Sequence, residues 1–208
     1  MADLEETLRL VELTCARLCH DLGGLIGTIG NALDMVTDEA GQQSEIVAFA
    51  ATAAKALTRR LRLLRAAWGS ETASMTPSSL RALAAPPLEA RRIALDIAAL
   101  PPDNVFSPSV GRVVLNLILL AGDCLPKGGT ITLMGEPADL FIRIDGPNSA
   151  WPSGLSGCLH DQQAAFAALR EVRAMQMPLT ILLAFGARLR ISPVLGPAGV
   201  EALRLTAA

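Results

Sequence analysis

The stretch Arg17–Asn31 reads R-L-C-H-D-L-G-G-L-I-G-T-I-G-N and places His20, one of two histidines in the chain, beside Asp21 and ahead of Gly23, Gly24, Gly27 and Gly30. An imidazole titrates near neutrality and is a good nucleophile in its neutral form. A carboxylate at the next position can orient the ring or accept its proton, or can be a solvated surface acid. Arg17, one helical turn earlier, can pair with a bound phosphoryl group or be a plain surface cation. If the stretch is helical, the neighbours of His20 at three, four and seven residues are Leu13, Ala16, Arg17, Gly23, Gly24 and Gly27. The ring then stands over nearly bare backbone. Each helix-interior glycine costs about 1 kcal/mol relative to alanine. Clearing room for a partner protein is one reason to bear that cost, and a helix break at Gly23–Gly24 is the competing one. The chemistry that suits an exposed histidine on a cleared surface is phosphoryl transfer from a partner's phospho-aspartate, with the partner supplying Mg²⁺ to neutralise charge.

The elements that position this stretch follow from its periodicity. Apolar residues fall at Leu4, Leu8, Val11, Cys15, Leu18, Leu22, Leu25, Ile29, Ala32 and Val36, in unbroken alternating steps of four and three. That is a coiled-coil seam. With Leu18 and Leu22 on the seam, His20 lies opposite it and faces water, so a core histidine is excluded. After the polar stop T-D-E-A-G (Thr37–Gly41), a second periodic segment runs through Ile46, Ala50, Ala53, Leu57, Leu61, Leu64 and Trp68. Two antiparallel helices bury only part of each stripe, which predicts a homodimer closing a four-helix bundle.

Beyond Gly69 the pattern changes. Ser70–Pro87 is rich in Ser, Thr, Ala and Pro and reads as a linker with a possible short strand. Strands are predicted at Arg91–Ala98, Thr130–Met134, Asp139–Asp145, Arg188–Val194 and Glu201–Thr206, the second and third forming one hairpin and the last two another across L-G-P-A-G-V. Helices are predicted at Ser109–Leu125, Asp161–Ala174 and Pro178–Gly186. The fold class is α+β: a helical hairpin over residues 1–72, then an α/β sandwich with helices on one sheet face over 73–208.

Composition narrows the function. Hydrophobic residues make up 51% and aromatics 3% of the 208 residues, which favours helix over strand. The formal charge is −2 and no run of Lys or Arg exceeds a pair, which argues against nucleic acid. No apolar run reaches the roughly 20 residues of a membrane helix. Cys15, Cys19, Cys124 and Cys158 fit no zinc spacing, and the expectation is a reduced, cytoplasmic protein with no metal of its own.

L-C-H-D-L in the middle of a first bundle helix resembles the phospho-acceptor motif of histidine-kinase dimerisation domains. Arg112–Leu133, R-V-V-L-N-L-I-L-L-A-G-D-C-L-P-K-G-G-T-I-T-L, is similar to the opening of a kinase ATP-binding domain of the Bergerat type. In active kinases that helix carries a second asparagine, four residues after the one matching Asn116, that holds the Mg²⁺ of ATP; here the position is Leu120. The adenine-reading D-x-G-x-G box is reduced to D-G-P-N (Asp145–Asn148), and Gly154–Gly157 is no phosphate loop. A histidine bundle followed by a degenerate Bergerat domain resembles the ChpT-type histidine phosphotransferases. That resemblance implies a phosphorelay intermediate which takes phosphate from the receiver domain of a hybrid histidine kinase onto His20 and passes it to response regulators. It implies no ATP binding, and a second domain that helps to hold the receiver. A non-catalytic dimeric adaptor and a divergent ATP-dependent kinase are the alternatives. A second histidine–aspartate pair, His160–Asp161, reads as a helix start rather than a reaction centre.

Overall fold

The computed structural model describes residues 2–36, 40–70, 73–196 and 199–208. Thr37–Glu39 of the polar stop, Glu71–Thr72 of the predicted linker and Pro197–Ala198 of the second hairpin turn lie outside the described residues. By internal contact the chain divides into two compact units, Met1–Leu64 and Arg65–Ala208. No helix among the described residues is long and apolar enough to cross a membrane.

The first unit is built from α1 (Ala2–Asp34) and most of α2 (Ala40–Trp68). Helix α1 runs unbroken through Gly23–Gly24, so the glycines do not interrupt it. Leu13, Ala32, Ala50 and Ala53 are buried. Apolar side chains remain exposed along the rest of the pair: Leu4, Leu8, Val11, Ile26 and Leu33 on α1, with Val47 and Leu61 on α2. Leu4, Leu8 and Val11 belong to the predicted seam, so a single chain leaves much of that seam uncovered.

The second unit begins within the last turn of α2 and continues with α3 (Pro77–Glu89), β1 (Ile93–Ala99), α4 (Pro108–Asp123), β2 (Gly129–Glu136) and β3 (Asp139–Asp145). Next come α5 (Leu155–Cys158), α6 (Gln162–Ala167), α7 (Gln176–Gly186), β4 (Leu189–Gly196) and β5 (Gly199–Ala207). The five strands form one sheet in the order β1-β2-β3-β5-β4. Only β1 and β2 are parallel, because α4 crosses over between them, and every other pairing is antiparallel. Helix α3 packs on β1, α4 on β2 and β3, and α7 on β4, with α4 touching both α3 and α7. The alternation along the strands matches a single covered face: Ile93, Leu95, Ile97, Ile131, Leu133, Leu140, Ile142, Leu203 and Leu205 are buried. Helix α4 is buried almost all round, as expected of a helix that is apolar on every side.

The start of β2 requires glycine for a definite reason. Gly129 has φ 144°, and a Cβ there would meet the carbonyl oxygen of Asp145 at 2.2 Å. At Gly146 a Cβ would sit 2.5 Å from the carbonyl oxygen of Gly128. The two backbone segments touch, so the D-G of Asp145–Gly146 serves packing.

Two sequence expectations need correction. Part of the predicted linker Ser70–Pro87 is helix α3. Thr76 is its N-cap, Pro77 opens it, and the Thr76 and Ser79 side chains bond each other's backbone N–H groups at 3.3 and 2.8 Å. Pro86 and Pro87 withhold the N–H groups that would bond the carbonyls one turn earlier, and burial of Leu80, Ala84, Ala85 and Leu88 outweighs that loss. The short strand amounts to one bridge, Met75 to Phe106. The helix predicted at Asp161–Ala174 is only α6, while α7 begins two residues ahead of Pro178. Replacing Thr76 by alanine removes one cap acceptor and is expected to destabilise the protein by about 1 kcal/mol, read as a lower urea midpoint at unchanged slope.

Candidate functional site

His20 lies mid-way along α1 with its side chain 64% exposed, while its neighbour Asp21 is only 8% exposed. The difference follows from the helix: one residue is 100° of rotation, which turns Asp21 toward α2 and His20 away from it. The Asp21 carboxylate is fully engaged. Arg17 Nε donates to Oδ1 at 3.0 Å, Arg60 Nη2 donates to Oδ2 at 2.6 Å, and His20 Nδ1 lies 3.3 Å from Oδ1. Burial raises the pKa of Asp21, but the bond and charge of Arg60, the charge of Arg17 and the His20 bond outweigh it and hold the carboxyl below the usual range. An ionised carboxylate can only accept, so the Nδ1 contact is made by an N–H on that nitrogen. The lone pair of the neutral ring is then on Nε2, on the opposite side of the ring.

Ala16, Gly23, Gly24 and Gly27 are exposed beside His20, and a Cβ added at any of the three glycines, or at Gly30, would meet nothing within 4 Å. Packing within the chain therefore gives no reason for glycine at these positions. Two candidate residues are placed differently from expectation. Leu13 is buried and cannot edge an open patch. Arg17 is paired with Asp21 rather than presented to solvent as a phosphoryl ligand, since Asp21 one turn later draws it in. Arg60, the cation that completes this cluster, was not identified from sequence. Its pairing spans 39 residues, and only an unpaired acid on the inner side of α1 would have pointed to it.

His160 is exposed, and Asp161 is the N-cap of α6, its carboxylate accepting from the Gln163 N–H at 2.8 Å. That agrees with a helix start. Cys15 and Cys19 are free and exposed, Cys124 and Cys158 free and buried.

Asn116, which the sequence resemblance sets against a kinase asparagine, is spent on contacts within the protein. Asn116 is fully buried, its Nδ2 donating to the carbonyls of Ala67 and Arg112 at 2.7 and 2.9 Å. Its Oδ1 accepts from Trp68 Nε1 and from Gln176 Nε2, both at 3.1 Å. Thr180 Oγ1 completes the cluster by donating to the Gln176 carbonyl at 2.6 Å. Gln176 and Thr180, four apart in an otherwise apolar helix, were the sequence signal for this network. Every donor and acceptor of Asn116 is taken by protein, and Leu120 one turn on is a buried aliphatic. These residues do not fit a nucleotide-bound Mg²⁺, which needs free oxygen ligands. No group of three or more His, Cys, Asp or Glu side chains that could hold a metal occurs among the described residues.

Comparison with known proteins follows the same lines. Residues 77–196 match the family described as "Histidine phosphotransferase C-terminal domain". The chain is 24% identical over 151 residues to the protein phosphotransferase ChpT of Brucella abortus (strain 2308), an alignment that spans 66% of each chain. It superposes on the solved structure of a bacterial phosphotransferase with a TM-score of 0.72 at 21% identity, covering 95% of both chains, which supports the two-part fold.

Replacing Asp21 by asparagine leaves Arg17 and Arg60 without their counter-charge and is expected to cost about 2 kcal/mol at pH 7. Because folding lowers this pKa, the stabilisation is present above the unfolded carboxyl pKa and is lost as pH falls through the folded value. The stability gap between wild type and Asp21→Asn, measured by urea denaturation, should therefore close as pH drops below about 4.

Proposed function

The chain belongs to the histidine phosphotransferase family defined by that C-terminal domain, and from this premise we propose that it is a phosphorelay intermediate acting through His20. The observation that carries the proposal is an exposed imidazole with Nε2 free, held by a buried, charge-neutralised carboxylate on an unbroken helix. In the reaction, Nε2 attacks the phosphorus of an aspartyl phosphate on the receiver domain of a hybrid histidine kinase. The N–P bond forms as the acyl O–P bond breaks, and the electron pair leaves with the partner's carboxylate. Mg²⁺ bound by the receiver neutralises the transferring oxygens. Asp21 holds the Nδ1 proton and the charge of the phosphorylated ring, a positioning role. The reverse steps deliver the group to the aspartate of a response regulator.

Two further features support this reading. The bare surface at Ala16, Gly23, Gly24 and Gly27 leaves room for the receiver to approach, as in-line attack requires. The uncovered apolar residues Leu4, Leu8, Val11, Ile26, Leu33, Val47 and Leu61 fit a second copy that closes a four-helix bundle. The saturated Asn116 and the aliphatic Leu120 favour a transferase that draws on no ATP of its own, working in the cytoplasm where receivers and regulators meet.

Transfer of label from purified, phosphorylated receiver domains tests the proposal. Acid-labile phosphate is expected on the wild type and on His160→Ala, and neither on His20→Ala nor with ATP as sole donor. Tight binding of a receiver with no label on any protein would make the chain an adaptor instead, and label from ATP alone would make it a kinase. A second expectation concerns the glycines. Gly27→Leu should be at least as stable as wild type, gaining about 0.5–1 kcal/mol of helix propensity. It should nevertheless accept phosphate about tenfold more slowly, because the new side chain stands where the receiver must sit. Equal transfer rates would remove the steric role of the glycine patch.

A further inference from the structure

The charge on α2 is distributed unevenly. From Val47 to Leu64 the helix carries four cations, Lys55, Arg59, Arg60 and Arg62, and no acid, within a chain of net charge −2. Arg60 is committed to Asp21. Lys55, Arg59 and Arg62 are exposed, and none is ion-paired with an acid among the described residues. Their spacing of four and three residues puts them on one stripe. Like charges at these spacings destabilise a helix, and no anionic side chain among the described residues of the hairpin answers them. The stripe is also set at the height of the reactive histidine. The Arg60–Asp21 bond holds those two residues level, and Arg59 and His20 are the residues immediately preceding each. Arg59 and His20 therefore stand within about one helical turn of the same height.

We infer that Lys55, Arg59 and Arg62 form an electrostatic docking stripe for the acidic phosphorylation face of a receiver domain, steering the phospho-aspartate onto His20. This rests on the phosphotransfer reading above. A receiver's reaction face is acidic by necessity, since it carries the carboxylates that hold Mg²⁺, and the phosphoryl group adds nearly two negative charges. A cationic stripe beside the nucleophile raises the rate of productive encounter, and it holds the phosphorylated donor more tightly than the spent one. The stripe accelerates docking and takes no part in the bond exchange at Nε2.

The test uses the full chain as wild type and as Lys55→Gln/Arg59→Gln/Arg62→Gln. Each receives phosphate from a phosphorylated receiver domain between low and high salt, and separately from potassium phosphoramidate, a small donor that needs no docking. The wild-type second-order transfer rate should fall steeply with salt. The triple variant should be about tenfold slower at low salt, with a flattened salt dependence. Phosphoramidate should label His20 equally in both, which shows that the variant is folded and its nucleophile intact. Transfer from the receiver at the wild-type rate and salt slope in the triple variant would overturn the docking role while leaving the relay standing. Absence of transfer from every receiver to the wild type would overturn the relay, and the docking role with it. A triple variant that loses phosphoramidate labelling as well would also overturn the inference, because the stripe would then support the hairpin or the histidine itself.

Discussion

One carboxylate organises the first unit. Asp21 joins α1 to α2 through Arg60, recruits Arg17 from the turn before, and fixes the tautomer of His20 through Nδ1. A charged group so little exposed is tolerable only because two guanidinium groups neutralise it. That arrangement leaves the imidazole free to face outward while its inner nitrogen stays bound. Moving the acid by one residue would aim it away from Arg60 and release the ring, since side-chain direction on a helix changes by 100° per position.

The second unit is organised by a polar group used in the opposite sense. Asn116 has no exposure at all and exhausts its hydrogen-bonding capacity on Trp68, Ala67, Arg112 and Gln176. A buried amide with every partner in place rigidifies its surroundings, whereas one left open is costly or functional. In this chain it ties the final turn of α2 to α4 and α7. A buried side chain with every polar atom bonded thus serves as a structural bolt, and Leu120 one turn on is a buried aliphatic.

The surface of the hairpin reflects two distinct economies. The glycines near His20 give up helix propensity without any intrachain packing gain, and the exposed leucines and valines leave apolar area in water. Neither makes sense for an isolated pair of helices. Both make sense if one face of the pair receives a transient partner and another a permanent one. A transient partner needs space and charge; a permanent one needs continuous apolar contact.

Local periodicity determined much of this protein from sequence alone. The alternating steps of four and three located both long helices and turned His20 to solvent, and period-two alternation located all five strands, because these patterns depend only on neighbours along the chain. Helix α3 was hidden because a stretch rich in Ser, Thr, Ala and Pro reads as a linker, and only the burial of Leu80 and Leu88 shows what overrides that composition. The burial of Leu13, the pairing of Asp21 with Arg60 and the saturation of Asn116 likewise belonged to the tertiary structure. Each depends on a partner brought close by folding, from Arg60 on the second helix to Gln176 and Ala67 far along the chain, and no spacing rule encodes such a meeting.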